Sequence, residues 1–150
     1  MKILRIPLVL LLFVGVLAPQ GALRAQAPSP EGLWKTLDDH TGQPRGLVRI
    51  YRQGDAFFGR LEASLVPEEA DARCSDCTDE RKDQPVVGMV ILRNLKAGKD
   101  GYGGGDILDP DTGSVYDCSL HVEAGGGKLI VRGFIGFSLF GRSQTWLKAD

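Results

Sequence analysis

After Pro30 the chain reads as a series of short stretches in which apolar and polar residues alternate, each stretch ended by Gly, Asp or Pro. Alternation with period two places one set of side chains on a buried face and the other toward solvent, which is the pattern of a half-buried strand. Eight such stretches can be drawn: Gly32 to Leu37, Leu47 to Arg52, Ala56 to Leu65, Val86 to Leu95, Tyr102 to Leu108, Ser114 to Glu123, Lys128 to Gly133 and Gln144 to Lys148. The third is the clearest, with Phe57, Gly59, Leu61, Ala63 and Leu65 opposite Phe58, Arg60, Glu62 and Ser64. The fourth is apolar on both faces, which suits a strand covered by a loop or a neighbouring element. Asp38 to Gly42, Gln53 to Asp55, Asp109 to Gly113 and Gly125 to Gly127 carry turn chemistry. Gly103, Gly104 and Gly105 mark a bulge, a kink or a close backbone approach. Phe134 to Phe140 breaks the alternation and reads as one short helical turn.

Eight short strands without a long amphipathic helix predict an antiparallel all-β fold, either a sandwich or a barrel. Closure into an eight-stranded barrel is preferred, because it removes the open edges that a meander of short strands would expose. A barrel of that size holds either packed side chains or one small ligand.

The start of the chain changes the picture of where the domain works. Lys2 and Arg5, an apolar run from Ile6 to Ala18, and Ala25-Gln26-Ala27 form a secretory leader over residues 1–27, leaving one domain over 28–150. The apolar run is too short to cross a bilayer, which takes about 20 apolar residues. A periplasmic or secreted location is expected. The leader holds three basic residues and no acid, so 15 basic face 19 acidic residues after cleavage, a net charge of −4 with histidines neutral. Such a balance disfavours nucleic acid and anionic lipid as partners.

Several blocks resemble a known family. Gly32-Leu33-Trp34, Arg81-Lys82-Asp83-Gln84-Pro85, Gly88-Met89-Val90-Ile91-Leu92, Gly104 to Pro110, Val131-Arg132-Gly133 and Gly141 to Trp146 are similar, in this order, to the signature blocks of the secreted bacterial family called domain of unknown function 2147. The resemblance covers roughly Glu31 to Lys148 and implies a lipocalin-like barrel, with no activity attached. A fainter similarity to lipocalins proper implies that Trp34, in Gly-x-Trp, meets Arg142 across the closed end, a guanidinium on an indole face worth about 0.5–2 kcal/mol.

The candidate chemistry lies in three cysteines. Cys74-x-x-Cys77 and Cys118-x-x-His121 have zinc-like spacing, but residues three apart on a regular strand point to opposite faces. No metal or cofactor is expected. One structural disulfide fits an exported chain, and the preferred pairing joins Cys118 to Cys74 or Cys77, since closing a loop of about 40 residues constrains the unfolded chain by roughly 3–4 kcal/mol. Arg81-Lys82-Asp83 reads as a solvated loop with local ion pairs, the alternative being an anchor for a ligand carboxylate or phosphate. Asp106, Asp109 and Asp111 lack calcium-loop spacing, and no nucleophile, base or carboxylate pair can be assembled from spacing alone.

The function expected is binding of a small hydrophobic or amphipathic ligand inside the barrel, with Phe57, Leu61, Val90, Tyr116, Leu120 and Phe137 as wall residues. The alternative is a filled barrel that docks an envelope protein through the Cys74 to Pro85 loop, and a thiol-redox or metal-dependent enzyme comes last. Interior volume separates the first two, because ligand sites measure about 300–1,000 Å³. If the leader is real, N-terminal sequencing of exported protein starts within a few residues of Pro28; an intact Met1 would remove it.

Overall fold

The computed structural model describes residues 28–150, so the leader lies outside the described residues. Eight antiparallel strands close into a barrel in chain order: β1 Gly32–Leu37, β2 Pro44–Gln53, β3 Ala56–Ser64, β4 Val90–Ala97, β5 Tyr102–Asp109, β6 Ser114–Val122, β7 Lys128–Phe134 and β8 Gly141–Lys148. A single-turn 3-10 helix, Pro67–Glu69, is the only helix among the described residues. The seam is short, with Trp34 opposite Lys148 and Lys35 opposite Leu147.

Three strands start elsewhere than the sequence reading has them, β2 three residues early at Pro44, where it pairs with Leu37. Val86 to Met89 is not strand: the Gly88 N–H bonds the Leu61 carbonyl at 2.7 Å, the Val86 N–H bonds the Ala72 carbonyl at 2.9 Å, and Gly88 sits at φ 91°. Val86 and Met89 are buried by the loop beneath which they turn. β8 begins three residues early, at Gly141, because the Phe134 and Gly133 partners on β7 extend the ladder. The bulge expected near Gly105 is present. Asn94 bulges out of β4 at φ 59°, and a Cβ at Gly105 would strike the Arg93 carbonyl oxygen, so this approach requires glycine.

The barrel has unlike ends. At one, Trp34 is fully buried and its indole Nε1 donates to the Pro30 carbonyl at 2.7 Å, while the Tyr102 hydroxyl donates to the Pro28 carbonyl at 3.2 Å. Phe57 packs edge-on against Tyr102, with ring centroids 4.9 Å apart. Residues 28–31 thereby cap the floor. The expected Trp34–Arg142 contact is corrected: the cation on the Trp34 ring is Lys148, 4.6 Å from its centroid. β8 runs antiparallel to β1, so its last residues meet Trp34, whereas Arg142 is the second residue of β8, about 20 Å away at strand rise. There Arg142 ion-pairs with Asp39 of the β1–β2 turn.

At the other end the segment between β3 and β4 folds over the β5–β6 turn. The expected disulfide is also corrected, since Cys74 bridges Cys77 and Cys118 is a free, buried thiol. Cys74 lies over the turn, its sulfur 3.4 Å from the Pro110 carbonyl. Cys118 stands opposite Gly105 and Gly133 inside the barrel, about 13 Å down the strand from Ser114, out of reach of a bridge whose Cα atoms must lie within about 7 Å. Arg81 is not solvated either. It is 5% exposed, pairs with Asp79 at 2.6 Å and donates to the Val90 carbonyl at 3.4 Å, and Arg93 of β4 reaches Glu80 at 2.6 Å. The Arg81 guanidinium holds Asp79 down at about 2.

Gly113 is where loop and turn meet: it has φ 68°, and a Cβ there would run into the Asp76 carbonyl. Gly113→Ala should therefore cost about 2 kcal/mol or more, combining positive-φ strain with a displaced loop. A melting temperature equal to wild type would show that the loop is not seated on the turn.

Candidate cavity at the open end

Alternation along β1, β3 and β5 to β8 sends one set of side chains inward, and at the loop-covered end they do not fill the space. A cavity of about 820 Å³ remains there. Its depth is apolar, formed by Leu61, Ile91, Ile107, Leu108, Val131 and Trp146. Its mouth comes from four connections, largely polar at Asp38 to His40, the segment from Glu69 to Val86, and Asp109 to Asp111, and apolar at the β7–β8 loop, where Ile135 and Phe140 contribute.

The mouth charges are tied to one another. Arg45 on β2 reaches Glu69 at 3.0 Å and Asp111 at 2.8 Å, joining the long loop to the β5–β6 turn, and those two carboxylates raise its pKa. Asp39 accepts from Gln144 Nε2 at 2.7 Å and pairs with Arg142, while Gln144 Oε1 accepts from the Trp146 indole at 3.2 Å. A hydrogen-bonded path thus runs from the rim down to the buried Trp146. Asp38 is held below the usual carboxylate range, first by the Thr41 backbone N–H and then by the Thr41 hydroxyl.

Of the six wall residues expected, Leu61 and Tyr116 line this cavity. Phe57 belongs to the opposite end and Leu120 to the filled core below the cavity, 2% exposed. Val90 is half-buried outside the lining; two register shifts between β3 and β4 bring its neighbour Ile91 to the wall. Phe137 is exposed on the β7–β8 loop, and Ile135 and Phe140 reach the mouth in its place. Ile107, Val131, Gln144 and Trp146 were accessible to strand alternation, since each holds an inward position on its strand; Asp39 was not, because a turn residue has no such pattern.

The cysteines form no site. Cys118 is 1% exposed, and burial, with a smaller contribution from Asp106, pushes its thiol up to about 12. His121 points outward, its Nδ1 3.3 Å from the Asp100 carbonyl. Among the described residues no group of three or more His, Cys, Asp or Glu is placed to hold a metal ion, and no helix is long and apolar enough to cross a membrane.

A family model described as an uncharacterized protein conserved in bacteria (DUF2147) matches residues 32–148, which spans all eight strands. The chain belongs to the DUF2147 family. Among solved structures, protein HP1028 from the human pathogen Helicobacter pylori, described as belonging to the lipocalin family, superposes with a TM-score of 0.67 at 17% identity, over 81% of this chain and 84% of that one. That likeness shows the fold: this DUF2147 member is a lipocalin-like barrel. No curated protein matches the chain.

A thiol count tests the buried cysteine. Native protein should show no thiol reactive at neutral pH and one, Cys118, once unfolded, with Cys74 and Cys77 joined in one peptide; a Cys118 peptide joined to either would refute the arrangement. Above about 9 the unfolded thiol ionises while the folded one stays neutral up to about 12, so the native state keeps the proton and stability falls as pH rises through this window. Relative to Cys118→Ala, wild type should lose about 1.4 kcal/mol per pH unit there.

Proposed function

We propose that this chain is an exported carrier of a small amphipathic molecule, its apolar part in the barrel and its polar group at the mouth. The observation that carries the reading is the 820 Å³ cavity with an apolar depth and a charged rim, a volume inside the roughly 300–1,000 Å³ of small-molecule sites. Leu61, Ile107, Val131 and Trp146 would take the apolar part by burial. Arg142, Asp39 and Gln144, already hydrogen-bonded together, would exchange part of that network for the polar group. The lipocalin-like fold supports small-ligand binding in general, and the leader motif with the Cys74–Cys77 bridge supports an oxidising, exported setting. Docking through the Cys74 to Pro85 loop has less support, because Arg73, Arg81 and Lys82 spend their donors on Asp83, Asp79 and Ser75 within the loop.

The test uses a long-chain fatty acid brominated near its methyl end. It should bind saturably and quench emission mainly from Trp146, which lines the cavity, and less from Trp34, which lies beside it in the floor. Trp146→Phe should remove most of the quenching, and Leu61→Glu should weaken binding about tenfold or more by putting a carboxylate in the apolar wall. Absence of saturable binding by acyl amphiphiles, or quenching undiminished in Trp146→Phe, would overturn the reading.

A further inference from the structure

The loop between β7 and β8 holds its apolar residues out of the barrel. Ile135, Phe137, Leu139 and Phe140 are 72%, 78%, 85% and 77% exposed, whereas the other exposed large apolar residues among the described residues, Leu65 and Val115, stand singly at 40% and 48%. Scattered exposed apolar residues need no explanation, but four large ones in one short loop do. The loop is also held in shape. Arg132 of β7 donates through Nε to the Ser138 carbonyl at 2.8 Å and through Nη1 to Ser143 Oγ at 2.9 Å, which fixes a guanidinium at the neck of the apolar tip.

Charge decides what covers this tip. Lys128 and Lys148 lie at the floor end of the β7–β8 hairpin, and around the tip, from Arg132 to Arg142, the chain carries these two arginines and no acidic residue. Arg132 lies at the neck and Arg142, with a side chain 65% exposed, at its far side, where it also meets Asp39. A protein partner or a second copy needs about 800 Å² of matched surface on each side, and beside the loop the rim exposes charged and polar groups such as His40, Arg73 and Asp111. A lipid interface needs only an apolar tip with basic residues behind it.

We infer that the β7–β8 loop is a membrane-docking tip, with Phe137 and Leu139 entering the acyl boundary of an anionic bilayer, Arg142 near the phosphates, and Arg132, whose donors are already taken by Ser138, Ser143 and Leu139, adding only its charge at the neck. Ile135 and Phe140 line the cavity mouth, so docking sets the mouth against the lipid. The net acidity of the chain argued against anionic lipid, but the loop that projects furthest carries no acidic residue between Arg132 and Arg142. The inference rests on the carrier reading only in naming the lipid surface as the source of the ligand.

Flotation of exported, leader-free protein with vesicles of phosphatidylethanolamine and phosphatidylglycerol tests it, beside vesicles of phosphatidylcholine alone. Wild type should float with the anionic vesicles, less so at high salt, and little with the neutral ones. Phe137→Ser combined with Leu139→Ser should lower partitioning about tenfold or more, with the melting temperature and binding of a fluorescent fatty acid in solution unchanged. Equal flotation of the double variant, equal flotation on neutral vesicles, or a wild-type dimer in sedimentation that the two substitutions convert to monomer would each overturn the inference. Vesicle binding without fatty-acid binding would leave the docking tip standing and sink the carrier reading alone.

Discussion

Trp34 is the point on which the barrel depends. Eight short strands have enough hydrogen-bonding capacity for any of several sheets, and what makes them a closed barrel is the seam between β1 and β8, only two residue pairs long. Trp34 occupies that seam and does three things at once. It fills the floor without exposure, its indole N–H satisfies the Pro30 carbonyl, and its ring meets the Lys148 ammonium. A buried indole is stable only where its N–H is paired, so the strap before β1 is drawn across the floor as part of the same interaction. Lys148 in turn donates to the Glu31 carbonyl at 2.8 Å, locking the strap from the other side of the seam.

Closing one end so completely leaves the differences to the other. The floor consumes the large side chains Trp34, Phe57, Leu95, Tyr102 and Leu129, and the layers nearer the mouth leave the cavity between their walls. The long segment between β3 and β4 covers that end without plugging it. It is held by polar devices, the Arg81–Asp79 pair, the Arg45 link to Glu69 and Asp111, and the Cys74–Cys77 bridge, none of which fills interior volume. A short-range bridge does little to constrain the whole unfolded chain; its effect here is to hold a tight loop against Pro110 and Gly113. The cavity is therefore a consequence of how the ends are stabilised, one by apolar packing and the other by ion pairs and backbone contacts at its edge.

The same asymmetry sorts the charges. Acidic residues gather on the β1–β2 turn, the long loop and the β5–β6 turn, while the hairpin that completes the rim is basic and apolar. A net charge averages these into a mildly acidic domain and hides the one element whose sign is opposite, which matters because screened electrostatics act over about 8–10 Å and respond to local charge, not to the total.

Much of the architecture was legible in the residues themselves. Period-two alternation and turn chemistry determine strand number and class, because a strand buries one face whatever its neighbours are; the bulge at Gly105 and the inward side of Leu61 and Tyr116 follow from the same rule. Which inward residues face empty space and which face each other is not local information. Phe57 and Leu61 share a face of β3, yet one packs on Tyr102 in the floor and the other borders the cavity, because height in the barrel is set by register and by the strands opposite. The cation on Trp34 was misplaced for this reason, antiparallel pairing bringing the end of β8 to it and not the start. Cys118 was correctly read as buried, but its distance from Cys74 depends on how a long loop crosses the barrel end, which only tertiary packing decides. The chain determined by itself that it would be a barrel; three-dimensional closure decided where the barrel is hollow and which loop stands out from its rim.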